Sequence, residues 1–502
     1  MSSSALHVAR GASYLFIQST ASNLISVVVF ALIARPLGQS GLGMLAALSL
    51  LVAFIQVISN LGTANAVTKY VAENLAKGER KAASGAFYQS LRVSAATSII
   101  PSAICFILAE PLSQTLLRDA AYTQVFRLLP IHLILSAGVI QNQNSCLLGL
   151  QKFRQLASIT ILTQILRQGL MILLIYRGYG VYGIVVAWTI ASTASAAIFS
   201  IPITKELGPP TFAFDLHRLL RFSVPLLFGG FASFTQTWFD TAILLAYVSM
   251  SEVGIYNAAI TAFGALNTIP TAISTALFPH YAQLQGKRRN IEDAIPQATR
   301  YTLFITLPLA LGLLATARPA LSIFVGQTFE EGATTLAILC LSLAFTCIGA
   351  ALTSILLVLE KTTLQTAITV AAVAASTLTA LLLLPTYGIA GASTARGISM
   401  AITLALTITA LKGEIKLKLD LQALKKSTTA STIMAITVIV AETLHYDRTL
   451  LPAYILLGAA TYTLALRILR AAKKEDIDLI RGYLGQRLSL IPDLATKLLN
   501  VD

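Results

Sequence analysis

Apolar runs of about 20 residues recur along the whole chain, and short polar connections separate them. A helix of this length can cross the roughly 30 Å hydrocarbon core of a bilayer. The pattern therefore predicts an all-α polytopic membrane protein with about 14 transmembrane helices. We place them near residues 11–34, 41–62, 87–109, 124–149, 155–176, 181–203, 222–247, 254–280, 299–317, 333–358, 363–384, 388–411, 427–444 and 451–468.

The composition agrees with a membrane location. Of the 502 residues, 56% are hydrophobic and 12% are charged, and the mean hydropathy is +0.75. Soluble globular proteins carry about 25% charged residues, so a single soluble core is excluded. The first apolar run does not resemble a cleavable signal peptide, because it is too long and no small-residue cleavage site follows it.

The net charge of +14 reflects the connections between spans rather than a surface for nucleic acid. Every lysine lies at the termini or in connections on one side of the predicted membrane, and the opposite connections contain only scattered arginines. By the positive-inside rule, the lysine side is cytoplasmic. With an even number of spans, we expect a multi-pass protein of the cell membrane with both termini in the cytoplasm and no nucleic-acid partner.

Three sequence landmarks repeat in the same order about 210 residues apart. This offset contains six predicted spans, an even number, so the two copies have the same orientation in the membrane. Two six-helix lobes that form such parallel repeats are a transporter architecture, with the substrate bound between the lobes. The pairs are LLGLQK at 147–152 with LLVLEK at 356–361, YGVYG at 179–183 with YGIAG at 387–391, and LGQSGLG at 37–43 with VSMSEVG at 248–254.

The duplication divides the chain into two lobes and a C-terminal addition. We predict a first lobe at 1–204 with spans one to six, a cytoplasmic linker at 205–221, and a second lobe at 222–411 with spans seven to twelve. Two extra C-terminal helices, at 412–468, lie outside the duplication. Residues 469–502 combine helical periodicity with basic side chains, which predicts an amphipathic tail on the cytoplasmic membrane surface.

Some charged side chains lie deep inside predicted spans, where an arginine costs about 2.5–3.5 kcal/mol on insertion scales. Arg167 is about ten residues, or roughly 15 Å, from the end of its helix, too deep for easy snorkelling. Gln164 lies on the same helix face. Polar faces on several spans predict a cavity between helices, and an arginine in it suits a phosphate or carboxylate. The alternative for Arg167 is an ion pair that locks two helices together.

The other candidates each have two interpretations. Arg396 is either a second ligand for the anion or a structural residue, and Arg127 is either a third ligand or an interfacial arginine. Gln143, in the run QNQNS, either binds substrate or forms interhelical hydrogen bonds. Asp240 either couples transport to protons or sodium or is a counter-ion for an arginine. The sequence has no phosphate-binding loop, metal cluster or catalytic triad, so we expect no enzyme activity, cofactor or metal.

SVPLLFGGFASFTQTWFDTAILLAYVSMSEVGIYNAA at 223–259 resembles the start of the second lobe in polysaccharide-biosynthesis flippases of the O-antigen type. These flippases belong to the multidrug/oligosaccharidyl-lipid/polysaccharide (MOP) exporter superfamily, which also includes the MATE multidrug transporters. First-lobe landmarks of the family are similar to IARPLGQSGLG, LGTANAVTKYVAE, LLGLQKF and YGVYGIVVAW, at 33–43, 61–73, 147–153 and 179–188.

The resemblance implies a V-shaped pair of lobes that works by alternating access. It also implies a substrate with an oligosaccharide on a polyprenyl phosphate or pyrophosphate, for assembly of cell-surface polysaccharide or glycoprotein beside glycan polymerases or transferases. Relatives that move the peptidoglycan precursor have cationic residues in the first span, and this chain has none there, which argues against that branch. The substrate-binding candidates are then Arg167, Arg396, Arg127, Gln164 and Gln143, and Asp240 is the candidate for ion coupling. The alternative function is a cation-coupled multidrug exporter.

Overall fold

We describe a computed structural model of the chain over residues 3–286, 291–417 and 420–471. All regular secondary structure in these ranges is helical, and short π-helical or 3-10 turns join several of the helices. The predicted amphipathic tail lies outside the described residues from residue 472 onward. The helices are α1 (Ser3–Asn60), α2 (Thr63–Ala76), α3 (Arg80–Ile107), α4 (Ala109–Leu112), α5 (Thr123–Leu133), α6 (Gln141–Gly149), α7 (Phe153–Leu174), α8 (Gly180–Leu207), α9 (Leu216–Tyr247), α10 (Met250–Gly286), α11 (Ile295–Ala315), α12 (Ala317–Phe324), α13 (Ala333–Val358), α14 (Thr362–Lys412), α15 (Leu421–Leu444) and α16 (Leu451–Ile468).

Within the described residues, nine helical segments are long and apolar enough to cross a membrane. An all-helical membrane protein is therefore confirmed. The segments are fewer and longer than the fourteen predicted spans, and three of them contain 50 to 55 residues. These three are interrupted by non-helical backbone at Gly38, Gly178 and Gly388. A helix that bends without a loop is predicted as two spans from the sequence, which accounts for much of the difference.

The helices form two compact units, Met1–Asn257 and Ala258–Asp502. In the first unit, apolar side chains of α2, α3, α6, α7 and α8 share a core that includes Phe87 and Phe199. Helix α9 also belongs to this unit and packs against α1 and α2. The predicted linker at 205–221 thus lies inside the first unit, and the division into lobes stays a prediction.

The predicted linker packs closely on the first unit. Phe214 is buried against Tyr70 of α2, with ring centroids 4.9 Å apart. Glu73 of α2 forms ion pairs with Lys77, at 2.6 Å, and with Arg218 of α9, at 3.2 Å. The hydrogen bond from Lys77 and the nearby positive charges hold the pKa of the Glu73 carboxyl below its usual range. These contacts fix the start of α9 on α2.

In the second unit, α10, α11, α13 and α14 share a core that contains Tyr281 and Ile355. Helices α15 and α16 pack beside α11 through a smaller cluster that includes Val438 and Tyr454. The side chain of Asp420 caps the start of α15 by accepting a hydrogen bond from a backbone N–H of its first turn. The two C-terminal helices are therefore attached to this unit through α11.

Two of the repeated landmarks have the same backbone geometry in both copies. Gln151 and Glu360, which end LLGLQ and LLVLE, are both left-handed, with φ of 57° and 59°. Gly180 and Gly388, in the YG landmarks, also match, with φ 50° and ψ −133° against φ 53° and ψ −134°. Residues other than glycine rarely adopt positive φ, so this recurrence indicates corresponding positions rather than chance similarity of apolar sequence.

An ion pair recurs at the same offset. Lys152 pairs with Glu206 at 2.7 Å, and Lys361 pairs with Glu414 at 2.8 Å. Both pairs are partly exposed and contribute little to stability. The two ion pairs instead identify corresponding positions, since they join equivalent residues of the two copies. The local geometry therefore agrees with an internal duplication.

The third pair of landmarks meets in a direct helix contact within the first unit. A Cβ atom on Gly43 of α1 would lie 1.9 Å from the carbonyl oxygen of Met250, at the start of α10. A Cβ atom on Gly254 would lie 1.8 Å from the carbonyl oxygen of Gln39. Helices α1 and α10 therefore cross at a distance that only glycine permits at these two positions.

Candidate functional site

Arg167 is half-buried near the middle of α7. Its guanidinium donates a 2.7 Å hydrogen bond to Oε1 of Gln164, and the Gln164 amide donates a 2.9 Å hydrogen bond to Oγ of Ser26 on α1. Among the residues that the structure describes, no carboxylate forms an ion pair with Arg167. The arginine is thus oriented by a neutral chain from α1, and its charge is not cancelled by a described acidic group.

Arg167 lines a cavity of about 470 Å³ within the first unit, which we call the arginine cavity. The cavity is enclosed by α1, α7, α8 and the α5–α6 region, with one residue from α9. With His132 neutral, Arg167 is the one charged side chain among the described residues of this lining. Its polar neighbours reduce the free-energy cost of placing an arginine at membrane depth. The polar and aromatic lining residues are Ser49, Gln56, His132, Ser136, Gln141, Asn144, Thr160, Thr163, Gln164, Arg167, Trp188, Ser192, Ser195, Phe199 and Trp238.

His132 is the second titratable residue of the arginine cavity and is 6% exposed. Its Nδ1 lies 2.6 Å from Oγ of Ser192, and its ring stacks at a tilt on Trp188. The Ser192 hydroxyl donates its one hydrogen to the Trp188 carbonyl oxygen at 2.6 Å. Nδ1 of His132 must therefore be the donor to Ser192. This fixes the imidazole as a wall of the cavity.

A π-helical segment at Ile134–Ile140 determines which polar residues face the cavity. His132 and Gln141 are nine residues apart, which is two and a half turns of a regular α-helix, so they would lie on opposite faces. A π-helix has more residues per turn, and the segment therefore shifts the faces of α5 and α6 relative to each other. In the structure both residues line the arginine cavity.

A second cavity of about 840 Å³ adjoins the first, and we call it the amide cavity. It shares Ala53, Gln56, Gln141, Asn144 and Trp238 with the arginine cavity. Its walls come from α1, α2, α6 and α9, and none of the described residues that line it is charged. The polar and aromatic residues of its lining are Gln56, Asn60, Asn65, Gln141, Asn144, Ser145, Ser233, Phe234, Thr237 and Trp238.

The run QNQNS is divided between the cavities and the helix packing. Gln141 and Asn144 line both cavities. Asn142 is fully buried, and the Gln143 amide donates 2.9 Å hydrogen bonds to the carbonyl of Ala196 and to a serine hydroxyl on α8. Gln143 is not among the lining residues of either cavity, so its structural surroundings are those of an interhelical contact.

The other two predicted arginines are not among the described residues that line the arginine cavity. Arg127 is exposed on α5 and does not line the arginine cavity. Arg396 is half-buried on α14, in the second unit. Of the predicted substrate-binding residues, the arginine cavity therefore contains Arg167 and Gln164.

Asp240 is fully buried on α9 and lines neither cavity. One carboxylate oxygen accepts a hydrogen bond from the hydroxyl of Tyr256 on α10, and the other accepts from the backbone N–H of Thr241 at 2.8 Å. The carboxylate therefore links α9 to α10 within the first unit.

Several cavity residues were not among the sequence-based candidates, namely Gln56, Asn65 and Trp238. A weak signal for one of them exists. Gln56 and Asn60 lie four residues apart near the end of the apolar second half of α1, the same spacing that marks polar faces elsewhere in the chain. Asn65 lies in the first turn of α2, and Trp238 of α9 is one of the two tryptophans in the chain. Nothing in the local sequence distinguishes their cavity-facing positions.

Comparison with known proteins identifies related sequences. The family model for polysaccharide biosynthesis proteins matches residues 32–334. The chain is 24% identical to the succinoglycan biosynthesis transport protein of Rhizobium meliloti over 342 residues, which are 67% of this chain and 66%, just under two thirds, of that protein. It is also 24% identical over 434 residues, 86% of this chain and 89% of the relative, to a protein of Haloferax volcanii described as a probable low-salt glycan biosynthesis flippase.

Solved structures share the fold. The lipid II flippase MurJ, in an inward closed conformation, matches with a TM-score of 0.76 and 15% identity over 93% of this chain and 99% of that chain. An inward-facing multidrug resistance transporter of the MATE family, from the MOP superfamily, matches with a TM-score of 0.60 and 15% identity over 81% of this chain and 100% of that chain. At these identities the likeness shows the fold alone, which is MurJ- and MATE-like.

Proposed function

The chain belongs to the polysaccharide biosynthesis protein family, and from that premise we propose that it flips a polyprenyl-phosphate- or pyrophosphate-linked oligosaccharide across the cytoplasmic membrane by alternating access. Family membership makes it a multi-pass membrane transporter rather than an enzyme. The two relatives whose names concern glycan biosynthesis support a lipid-linked glycan as the substrate. The transported oligosaccharide would be used to assemble a cell-surface polysaccharide or a glycoprotein.

The observation that carries the proposal is Arg167 in its cavity. A guanidinium is always charged and presents a fork of donors that matches phosphate oxygens. Gln164 holds it in one orientation, and no described carboxylate neutralises it. A phosphate that enters the arginine cavity could therefore bind the oriented Arg167 guanidinium without first breaking an ion pair. Arg167 is our assigned phosphate ligand, with Gln164 as its positioning residue.

The cavity linings do not favour the alternative of a multidrug exporter for cations. An organic cation at membrane depth needs a carboxylate or a similar negative group to replace water. Among the residues that the structure describes, no carboxylate lines the arginine cavity or the amide cavity. A permanent positive charge in one of them would repel such a substrate instead.

The proposal includes the predicted architecture. We infer 14 membrane crossings, with two parallel-repeat six-helix lobes, two additional C-terminal helices and both termini in the cytoplasm. The three longest helical segments are each long enough for two crossings, and α9 and α10 supply two more helices of 32 and 37 residues. The matching geometry of the repeated landmarks supports the lobe assignment.

The remaining candidates receive separate roles. We assign Gln143 to the contact between α6 and α8, and Arg127 to the interface with lipid headgroups or water. For Arg396, on α14, we propose a role in anion binding. Asp240 is fully buried and accepts a hydrogen bond from the Tyr256 hydroxyl. Both features favour a carboxylate that stays fixed over one that exchanges ions during transport. Glycan polymerases or transferases are the proposed functional partners.

A reconstitution experiment tests the proposal. The purified protein is placed in liposomes that contain a fluorescent polyprenyl-pyrophosphate oligosaccharide, and an external glycosidase reports the fraction of glycan on the outside. We expect the protein to raise the rate at which inner-leaflet glycan becomes accessible, because spontaneous passage of a charged, hydroxylated headgroup through hydrocarbon is very slow.

Liposomes without protein and liposomes with heat-inactivated protein serve as controls. The same preparations are loaded with a fluorescent organic cation. Accelerated release of the cation, with glycan accessibility no faster than in the controls, would contradict the flippase assignment and support multidrug export.

A further inference from the structure

We propose that the amide cavity is a binding site for the uncharged sugar, or sugars, that directly follow the phosphate of the substrate. This inference rests on the proposed function, in which the phosphate binds at Arg167. It adds the chemical class of the first sugars, which would carry hydroxyl or amide groups and no carboxylate, phosphate or amine.

The lining chemistry of the amide cavity matches a polyhydroxylated neutral ligand. Its polar groups are carboxamides and hydroxyls, and each carboxamide offers two N–H donors and one oxygen acceptor. A sugar hydroxyl is both a donor and an acceptor, so it can satisfy either end of an amide. The polyprenyl tail could not, and burying these amides against a hydrocarbon chain would leave hydrogen bonds unmade at about 1–3 kcal/mol each.

Asn144 gives a second observation that points to a ligand. Its Oδ1 is enclosed and has no hydrogen-bond partner in the described part of the chain. Its side chain lines both cavities, at the boundary between them. Nearby, Oε1 of Gln141 accepts a hydrogen bond from the Asn60 amide, which leaves the amide nitrogen of Gln141 as a donor toward the cavities. The boundary thus presents an acceptor and a donor at neighbouring positions of one helix.

The order of the two cavities follows the order of groups in the substrate. In a glycosyl phosphate the first sugar is bonded to a phosphate oxygen, so a phosphate at Arg167 places that sugar within the same or the adjoining space. The adjoining space is the amide cavity, and the two share Gln56, Gln141 and Asn144. Trp238 also lines both and offers an apolar ring face, with an N–H at its edge, for the C–H face of a sugar ring.

The absence of charge in the lining determines the selectivity. A sugar acid in the amide cavity would lose water without gaining a cationic partner, and an amino sugar would lose water without gaining a carboxylate. Uncharged hexoses and N-acetylated sugars meet no such penalty. Any charged sugars of a longer glycan would therefore have to follow the sugars that bind in the amide cavity.

Two ligands of equal charge test the proposal with the full-length protein in lipid nanodiscs. One is a polyprenyl phosphohexose with an uncharged hexose, and the other is methyl polyprenyl phosphate, a sugar-free diester. Their dissociation constants are measured by displacement of a fluorescent polyprenyl phosphate. We expect the native protein to prefer the phosphohexose, and Asn144→Leu to reduce that preference roughly 3- to 10-fold, the equivalent of one net hydrogen bond.

Matched variants separate the two binding groups. Gln155→Leu changes an exposed amide on α7 outside both cavities and should keep the preference. Arg167→Gln should weaken both diesters to the same extent and keep their ratio. Asn65→Ala alters an exposed residue of the amide cavity, so it decides the question if Asn144→Leu fails to fold.

The outcomes distinguish this inference from the proposed function. Equal affinity of the native protein for the two diesters, or an unchanged preference in both Asn144→Leu and Asn65→Ala, overturns the sugar site and leaves the flippase proposal intact. Failure of the native protein to bind the fluorescent polyprenyl phosphate or either diester overturns the phosphate site at Arg167 and the sugar site together.

Discussion

At the scale of single residues, Arg167 is the side chain whose position most needs a physical reason. A lone arginine at the centre of a membrane span costs about 2.5–3.5 kcal/mol, and the hydrogen bond to Gln164 offsets part of that cost. The arginine cavity supplies further polar groups and space for water or a ligand. If Arg167 only locked two helices together through an ion pair, a carboxylate would lie within reach of it. No carboxylate among the described residues pairs with Arg167. The charge is instead directed into the cavity.

The buried carboxylate on α9 leads to a residue-scale prediction. Tyr256→Phe removes the hydroxyl that donates to Asp240, and we expect a loss of about 1.5–3 kcal/mol of stability, the range for a hydrogen bond to a charged group. Thermal unfolding of the detergent-solubilised protein measures the change. Tyr247→Phe, which removes an exposed tyrosine hydroxyl at the end of α9, is the control and should alter the melting temperature very little.

The same variant tests whether Asp240 couples transport to an ion. If the carboxylate is fixed, Tyr256→Phe lowers stability while the dependence of flipping on pH and sodium remains that of the native protein. A changed ion dependence in Tyr256→Phe or in Asp240→Asn would show that Asp240 couples transport to an ion after all.

At the scale of helices, regular elements were predictable from the sequence and irregular ones were not. Gln164 and Arg167 were correctly placed on one face, because they lie on one uninterrupted turn of α7. The facing of QNQNS could not be predicted, because the preceding π-helical segment shifts the phase by an amount that apolar sequence does not encode locally. Gln143 was therefore grouped with the substrate candidates, although its amide faces α8.

The crossing of α1 and α10 gives a prediction for an element. Gly43→Ala would place a Cβ atom 1.9 Å from the carbonyl oxygen of Met250, and a backbone atom cannot rotate away. We expect the helices to separate, at a cost of about 2 kcal/mol or more, which exceeds the gain of up to about 1 kcal/mol in helix propensity. Thermal unfolding in detergent measures the loss.

Gly264→Ala on the same α10 is the matched control, because no atom lies within 4 Å of the added Cβ. It should leave stability unchanged or raise it slightly. An equal effect of the two substitutions would show that the close approach of α1 and α10 does not restrict residue 43.

At the scale of the whole molecule, composition and periodicity predicted the class of protein, and the repeats predicted its internal relationship. Two structural features support those repeats. Gln151 and Glu360 have the same left-handed backbone conformation, and a lysine–glutamate ion pair recurs in both copies. The cavities could not be predicted in the same way, since they depend on how four or more helices pack. Gln56, Asn65 and Trp238 come from three different helices and meet only in the folded unit.

The most direct test of the central claim measures whether glycolipid flipping depends on Arg167. Arg167→Ala and Arg154→Ala are reconstituted beside the native protein in liposomes that contain the polyprenyl-pyrophosphate oligosaccharide. Arg154 is exposed at the start of the same α7 and serves as the matched control for loss of an arginine. The account predicts that Arg167→Ala lowers the flipping rate about tenfold or more, the expected loss for a charged contact to phosphate, and that Arg154→Ala flips at the native rate. Native flipping by a correctly folded Arg167→Ala would contradict the assignment of Arg167 as the phosphate ligand.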